Sequence, residues 1–198
     1  MFELVAFAVA AGCLLGLSGL MVVSLLAPER RLWPAGDDDG KRRIYLALSR
    51  PLLPAVFATG VLDWSAGPLA SPWHLVVGAV GVLAAFAVLN KSAVDLGEAA
   101  TEGREDELRT DGLYRYTRNP QNVGYGLLFA TYAVLANSPL VGALAVIVAV
   151  FSVFQVLAEE AWLRDTYGDA YDAYDAYCER VPRFIGLRTL TRALDDYS

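Results

Sequence analysis

The sequence predicts an all-α fold: a polytopic membrane helix bundle of about five transmembrane helices, with cytosolic C-terminal amphipathic helices. Two observations support this prediction. Hydrophobic residues fill 56% of the 198 positions and charged residues only 19%, which is unusual for a water-soluble domain. The apolar residues also fall into separate runs of about 20 residues, the length that an α-helix needs to cross a bilayer.

Five runs are candidates for spans. The first, from Phe2 to Ala27, has no basic region before it and no clear cleavage site, so it predicts a retained helix rather than a signal peptide. The others are Ile44 to about Leu62, Trp73 to about Val94, about Gln121 to Ala136, and Leu140 to Ala158. Because Arg50, Pro51 and Pro54 interrupt the second run, a kinked or re-entrant segment, leaving four spans, is the alternative.

The basic residues predict the orientation. With five spans, all 16 Lys and Arg lie on one side of the membrane, and the connections DWSAGPLASPWH and NSP on the other side hold none. The positive-inside tendency makes the basic side cytosolic, so we expect a cell-membrane protein with its N-terminus outside and its C-terminus inside. Acidic and basic residues are mixed on that side, and the net charge of -6 does not predict a nucleic-acid partner.

Several common kinds of site are not expected. The single histidine, His74, lies at the outer end of the third span, so no histidine base or metal site is predicted on the cytosolic side. Asp37 to Asp39 in GDDDG predict a solvated loop, with a divalent-metal site as the alternative. Neither a Rossmann fingerprint nor a P-loop occurs. The glycines inside two spans indicate close helix packing; they are Gly12, Gly16, Gly19, Gly78 and Gly81.

Polar residues crowd the start of the fourth span, in GLYRYTRNPQNVGY. Asn119 is a favoured helix N-cap and Pro120 a favoured first helical residue, but capping does not explain Arg118 and Asn122 at the same end. The 14 residues from Val123 to Ala136 span only about 21 Å, so the helix start lies at or below the membrane interface. This predicts an anion site for a carboxylate or phosphate, with interfacial anchoring as the alternative.

Two adjacent carboxylates end the fifth span, in AEEAWLRDTYG. The fourth and fifth spans form an antiparallel hairpin through the short NSP turn, which brings Glu159 and Glu160 back to the polar helix start. Glu160 and Arg164 have the spacing of an ordinary helical ion pair. The functional interpretation is that one or both carboxylates bind a cation opposite the anion site. Together the two sites would suit a zwitterionic ligand.

The tail carries a tyrosine repeat and a further arginine. Tyr171, Tyr174 and Tyr177 recur every third residue in DAYDAYDAY, which predicts a short amphipathic helix with an interfacial aromatic belt. VPRFIG then places Arg183 beside apolar residues. Arg183 is therefore either a cofactor clamp or part of a segment that docks on the membrane.

In this order and spacing, GLYRYTRNPQNVG, NSP, EEAWL, YGDAY and VPRFIG resemble the isoprenylcysteine carboxyl methyltransferase and phospholipid methyltransferase group of integral membrane enzymes. The resemblance covers about Asp95 to Gly186. It implies that the C-terminal helices enclose S-adenosylmethionine on the cytosolic side. We accordingly divide the chain into N-terminal helices with a cytosolic loop, 1–94, and a cofactor-binding catalytic region, 95–198.

The family pattern RHPxYxG followed by EExxL matches the sequence except at two positions. Asn119 stands where histidine is frequent and Asn122 where tyrosine is. Asparagine still forms hydrogen bonds but does not titrate near neutral pH, so a histidine's role as a base would be lost. The resemblance implies Arg118 and Glu160 as catalytic residues, and as cofactor-binding residues Gly112, Tyr114, Asn119, Pro120, Asn122, Gly124, Glu159 and Arg183.

The resemblance implies methyl transfer to a lipid or lipid-modified acceptor, either an isoprenylcysteine carboxylate or a phospholipid-like amine. Two alternatives stay open. An NADPH-dependent membrane reductase is one, because sterol reductases have a similar Arg-His-Pro hairpin. A non-catalytic scaffold that lost its activity with the changes at Asn119 and Asn122 is the other.

Overall fold

A computed structural model describes residues 1–69, 72–97, 110–167, 171–186 and 189. Within that part of the chain all regular structure is helical and no strand occurs, which confirms the predicted class. Short 3-10 turns cover Pro28–Arg30 and Gly112–Arg115. The α-helices are α1 Phe2–Leu26, α2 Asp39–Ser49, α3 Leu52–Leu62, α4 Trp73–Leu96, α5 Pro120–Ala136, α6 Pro139–Tyr167 and α7 Tyr171–Arg180.

Four of the described segments are long and apolar enough to cross a membrane, close to the predicted five. They are 2–26, 39–62, 73–96 and 139–164, with α2 and α3 counted together. The remaining predicted span is α5, whose 17 residues extend about 25 Å, less than the hydrocarbon thickness of about 30 Å. It packs against both α4 and α6. Protein therefore surrounds much of α5.

The second span differs from its prediction at its start, and it is broken in its middle. Asp38 caps α2, because its Oδ1 accepts hydrogen bonds from the backbone N–H groups of Gly40 and Lys41 at 2.9 and 3.1 Å. The helix therefore begins at Asp39, before Ile44. Asp37 and Asp38 are exposed and precede the helix, as predicted for a solvated loop, and only Asp39 belongs to the helix instead. Arg50 is exposed at the break between α2 and α3, where the sequence predicted an interruption.

Small residues allow close contact between α4 and α5, as predicted. A Cβ atom on Gly78 would lie 2.4 Å from the Leu135 Cα, and one on Gly81 equally close to Thr131. In α1, Gly16 approaches Leu48, but a Cβ on either remaining glycine, at positions 12 and 19, would have no described atom within 4 Å. Both are exposed, so the packing prediction is wrong for them.

The core lies between α1, α3, α5 and α6, while α4 is largely uncovered. The buried residues of α1 recur every three or four positions and form one face; they include Ala10, Leu14, Leu17, Met21 and Ser24. On α4, Val76, Val80 and Leu83 are more than half exposed. Apolar side chains in that position are typical of a lipid-facing helix.

The helices alternate in direction, so the connections collect at two ends of the bundle. The loop end contains residues 63–69 and 136–140, where the α5–α6 hairpin turns as predicted through Asn137 in a left-handed conformation. The site end contains residues 27–38, 110–119, 155–164 and 174–186. Four of the basic residues that predict the orientation lie outside the described part of the chain; they are Arg104, Arg109, Arg188 and Arg192.

Candidate functional site

The tail of the chain docks on the segment before α5. The Arg118 backbone N–H donates to the Pro182 carbonyl at 2.9 Å, and the Asn119 Nδ2 donates to the Arg183 carbonyl at the same distance. The Thr117 hydroxyl donates to that carbonyl at 3.2 Å. Asn119 occupies the N-cap position, as predicted, but its side chain makes no capping bond because it bonds to the tail instead.

Three predicted site residues meet in a buried ion-pair cluster. Glu160 Oε1 lies 2.9 Å from Arg118 Nη1, and Arg183 binds the same carboxylate with Nε at 3.0 Å and Nη2 at 2.6 Å. Glu160 is only 6% exposed, although the side chain of Arg183 is 42% exposed. The hydrogen bond to Glu160 raises the pKa of Arg183 above its ordinary value. Two positive charges against one negative charge leave this cluster with a net positive charge.

Arginines therefore bind both oxygens of Glu160. Neither arginine belongs to α6, the helix that carries Glu160. The sequence suggested either a local pair with Arg164 or a free carboxylate for a cation. A cation that bound Glu160 would have to compete with two guanidinium groups. We conclude that Glu160 organises the arginines of the site.

Arg118 has one polar atom without a partner. Its Nη1 also contacts the Cys178 Sγ at 2.8 Å, but its Nε is buried and makes no hydrogen bond to any described residue. A buried donor without an acceptor costs about 1–3 kcal/mol, so such groups usually bind water or a ligand.

Glu159 has a different environment from its neighbour. Trp33 Nε1 donates to Glu159 Oε1 at 3.0 Å, and Gln155 Nε2 donates to the same oxygen at 2.9 Å. Glu159 Oε2 accepts no hydrogen bond within the described residues. Both donors are neutral, so no arginine or lysine in the described part of the chain forms an ion pair with Glu159.

Near the start of α5 a second polar group lacks a partner. Asn122 is 8% exposed, and its amide forms no hydrogen bond with the described residues. Pro120 is the first residue of this helix, as predicted, and it is fully buried. The Asn122 amide could therefore donate to or accept from a bound group.

The predicted glycines have other neighbours. Gly112 has a positive φ of 55°, and a Cβ there would lie 2.2 Å from Asp95 Oδ2, the atom that accepts the Leu113 N–H at 2.9 Å. Gly124 faces the Leu89 side chain on α4. Their observed contacts make them turn and packing residues, and their role in cofactor binding stays a prediction.

The tail tyrosines are buried rather than interfacial. Tyr174 and Tyr177 are each 4% exposed and pack with Val181. The Tyr177 hydroxyl donates to the Tyr114 carbonyl at 2.7 Å. The predicted aromatic belt is thus wrong for these two residues, because the tail folds onto the protein. Burial, and then the charge of Glu159, raise the pKa of Tyr114, so its phenol stays protonated.

A comparison with protein families finds a match that includes the central residues of this site. The phospholipid methyltransferase family matches residues 70–170, about half of the chain. The chain belongs to this family. No curated protein and no solved structure matches the chain.

The phospholipid methyltransferase match contains Arg118, Asn122 and both glutamates, but two contacts of the site lie outside it. Arg183 follows the matched residues and binds Glu160, whereas Trp33 precedes them and binds Glu159. Arg183 was predicted as a site residue from the sequence, and Trp33 was not. No local pattern marks Trp33, because its partner is 126 positions away.

Proposed function

We propose that this protein is an integral membrane methyltransferase that transfers a methyl group from S-adenosylmethionine to a lipid or lipid-modified acceptor. The observation that carries the proposal is the difference between the two adjacent glutamates. Glu160 is paired with two arginines, while Glu159 has no ion-pair partner and one oxygen without a hydrogen bond among the described residues. The site therefore offers separate groups for a cation and an anion.

The residues fit the charges of the cofactor. S-adenosylmethionine carries a sulfonium, an ammonium and a carboxylate. Glu159 would hold a cationic group, whereas Arg118, with its unbonded Nε, and the Asn122 amide would hold the carboxylate. When bound, the cofactor supplies a methyl group attached to a positively charged sulfur. The protein contributes position and charge complementarity.

The acceptor has to reach the site with the correct protonation state. A carboxylate acceptor needs no base, and the net positive charge around Arg118 would attract it. An amine acceptor has to lose a proton, and Glu159 is the better base because two arginines bind Glu160. Asn119 does not titrate and instead holds the tail through the Arg183 carbonyl. We propose that the acceptor enters laterally from the membrane.

The first test is calorimetric titration of S-adenosylmethionine and its demethylated product into detergent-purified protein, with NADPH as a comparison. The E159Q variant should bind S-adenosylmethionine about ten- to a hundredfold more weakly, because it loses a charge. E29Q is the matched control, since Glu29 is an exposed carboxylate at the same end of the bundle. Binding of NADPH alone would indicate a reductase, and binding of neither cofactor would indicate a scaffold.

A second test identifies the acceptor class. Protein in vesicles receives labelled S-adenosylmethionine with either a prenylated cysteine analogue or a phospholipid that carries a primary amine. Label in the first product supports a carboxylate acceptor, and label in the second supports an amine. Label in neither, despite cofactor binding, would contradict both acceptors.

We also propose that the site end lies in the cytosol. The test is membrane-impermeant thiol labelling of intact cells that express a Cys-free protein with one cysteine placed at either end. A cysteine at position 65 should be labelled, and one at position 29 should not. The opposite pattern would reverse the orientation.

A further inference from the structure

The connection between α1 and α2 sends one buried side chain into the site. Trp33 is 2% exposed and precedes the residues matched by the family. Its indole N–H donates to Glu159 Oε1 at 3.0 Å. The N-terminal part of the chain thus contacts the residue to which we assign the cofactor's cation.

Trp33 is held from two sides. The Ser24 hydroxyl oxygen accepts the backbone N–H groups of Leu32 and Trp33 at 2.9 and 2.8 Å, and itself donates to the Leu20 carbonyl at 2.7 Å. The Trp33 ring stacks on Tyr45 with 3.8 Å between centroids and 17° between planes. These contacts fix the direction of the indole N–H before any ligand binds.

The hydrogen bonds to Glu159 are unevenly shared between its two oxygens. Trp33 and Gln155 both donate to Oε1, whereas Oε2 receives no bond from the described part of the chain. A carboxylate oxygen accepts about two hydrogen bonds, so Oε1 is saturated and Oε2 keeps its full capacity. Neutral donors also stabilise the ionised carboxylate without adding a competing positive charge.

We propose that Trp33 is a positioning residue for cofactor binding: its N–H holds Glu159 so that Oε2 is available to the cationic end of the cofactor. This inference rests on the proposed function, because it needs a cationic ligand at Glu159. It adds a residue from outside the matched family region. Trp33 acts through Glu159 and needs no contact with the cofactor itself.

The W33F variant tests this role, because phenylalanine removes the N–H but keeps a ring that can stack on Tyr45. We expect the Kd for S-adenosylmethionine to rise about tenfold, the effect of losing one hydrogen bond to a charged group. The acceptor KM should change by less than about twofold, because the indole N–H acts on the cofactor site through Glu159. W64F is the control, since Trp64 lies at the loop end.

A double variant separates positioning from general destabilisation. If Trp33 acts through Glu159, W33F/E159Q should bind the cofactor as weakly as E159Q alone, to within about twofold. If the two losses multiply, Trp33 acts independently of Glu159 and the inference is overturned.

The outcomes also separate this inference from the proposed function. Failure of the unmodified protein to bind S-adenosylmethionine would overturn both. Normal cofactor binding by W33F, with weak binding by E159Q, would overturn the role of Trp33 alone. If W33F does not fold, benzothienylalanine at position 33 replaces the N–H by sulfur in the same two-ring shape, and the same tenfold loss is expected.

Discussion

The two ends of the bundle treat their buried polar groups differently. At the loop end, Asn137 donates to the Gly67 and Leu69 carbonyls at 3.1 Å and accepts the Leu69 N–H at 3.1 Å. Asp63 accepts the Ser138 hydroxyl at 2.6 Å. Among the described residues, no buried side-chain polar atom at this end lacks a partner.

At the site end, by contrast, several polar groups have bonding capacity that the described residues do not use. They include the Arg118 Nε, the Asn122 amide and the Glu159 Oε2. Buried polar atoms without a hydrogen-bond partner lower the free energy of unfolding. A ligand that supplies the missing partners would remove this penalty when it binds. The loop end is saturated by its own contacts, and the unused groups at the site end support the proposed binding role.

The largest expected effect is that of E160Q. The variant removes the carboxylate that neutralises Arg118 and Arg183, so it should lower the free energy of unfolding by about 3 kcal/mol and abolish cofactor binding. Thermal unfolding in detergent and calorimetric titration measure the two effects. E159Q should lose affinity at nearly unchanged stability. Equal melting temperatures for E160Q and the unmodified protein would contradict the structural role of Glu160.

A smaller effect is expected at the loop end from N137A. The alanine removes three hydrogen bonds and tolerates the left-handed conformation less well than asparagine, at a total cost of about 2–3 kcal/mol. N137G removes the same hydrogen bonds without the strain, so it should be less destabilised than N137A. Cofactor affinity should not change in either variant. A loss of affinity would show that the two ends are coupled.

The smallest expected effect is a difference in stability between alanine variants of two glycines at the contact of α4 with α5. At the loop end, an added methyl group at Gly78 meets the backbone of Leu135, so G78A should lose about 1–2 kcal/mol. At the site end, the methyl group at Gly124 meets the side chain of Leu89 at 2.8 Å, which can rotate away. G124A should therefore be more stable than G78A in thermal unfolding. The reverse order would contradict the expectation that a backbone contact yields less readily than a side-chain contact.

Local chemistry in the sequence predicted much of the fold. Apolar runs marked the spans, Asn119 and Pro120 marked the start of α5, and Gly78 marked a close helix contact. Each of these signals depends on neighbours along one helix. The break at Arg50 was anticipated as an alternative, but the cap at Asp38 that extends α2 was not.

Long-range contacts could not be predicted in the same way. The spacing of Glu160 and Arg164 follows a local rule, whereas the observed partners of Glu160 are Arg118 and Arg183. The spacing of Tyr174 and Tyr177 is compatible with a membrane interface and with a protein core. Only the docked position of the tail shows that these two tyrosines are in a core. Trp33 had no signal because its partner is distant in the sequence.

The docking of Pro182 and Arg183 on residues 117–119 has a consequence for biogenesis. Translation produces Glu160 and the helices around it before Arg183, so a nascent chain that ends short of Arg183 lacks one of the two arginines that bind this carboxylate. The hydrogen bond from Asn119 to the Arg183 carbonyl is missing at that moment as well. Assembly of the site therefore follows synthesis of the tail, and the ion-pair cluster is complete only when residues 182 and 183 have folded back onto residues 117–119.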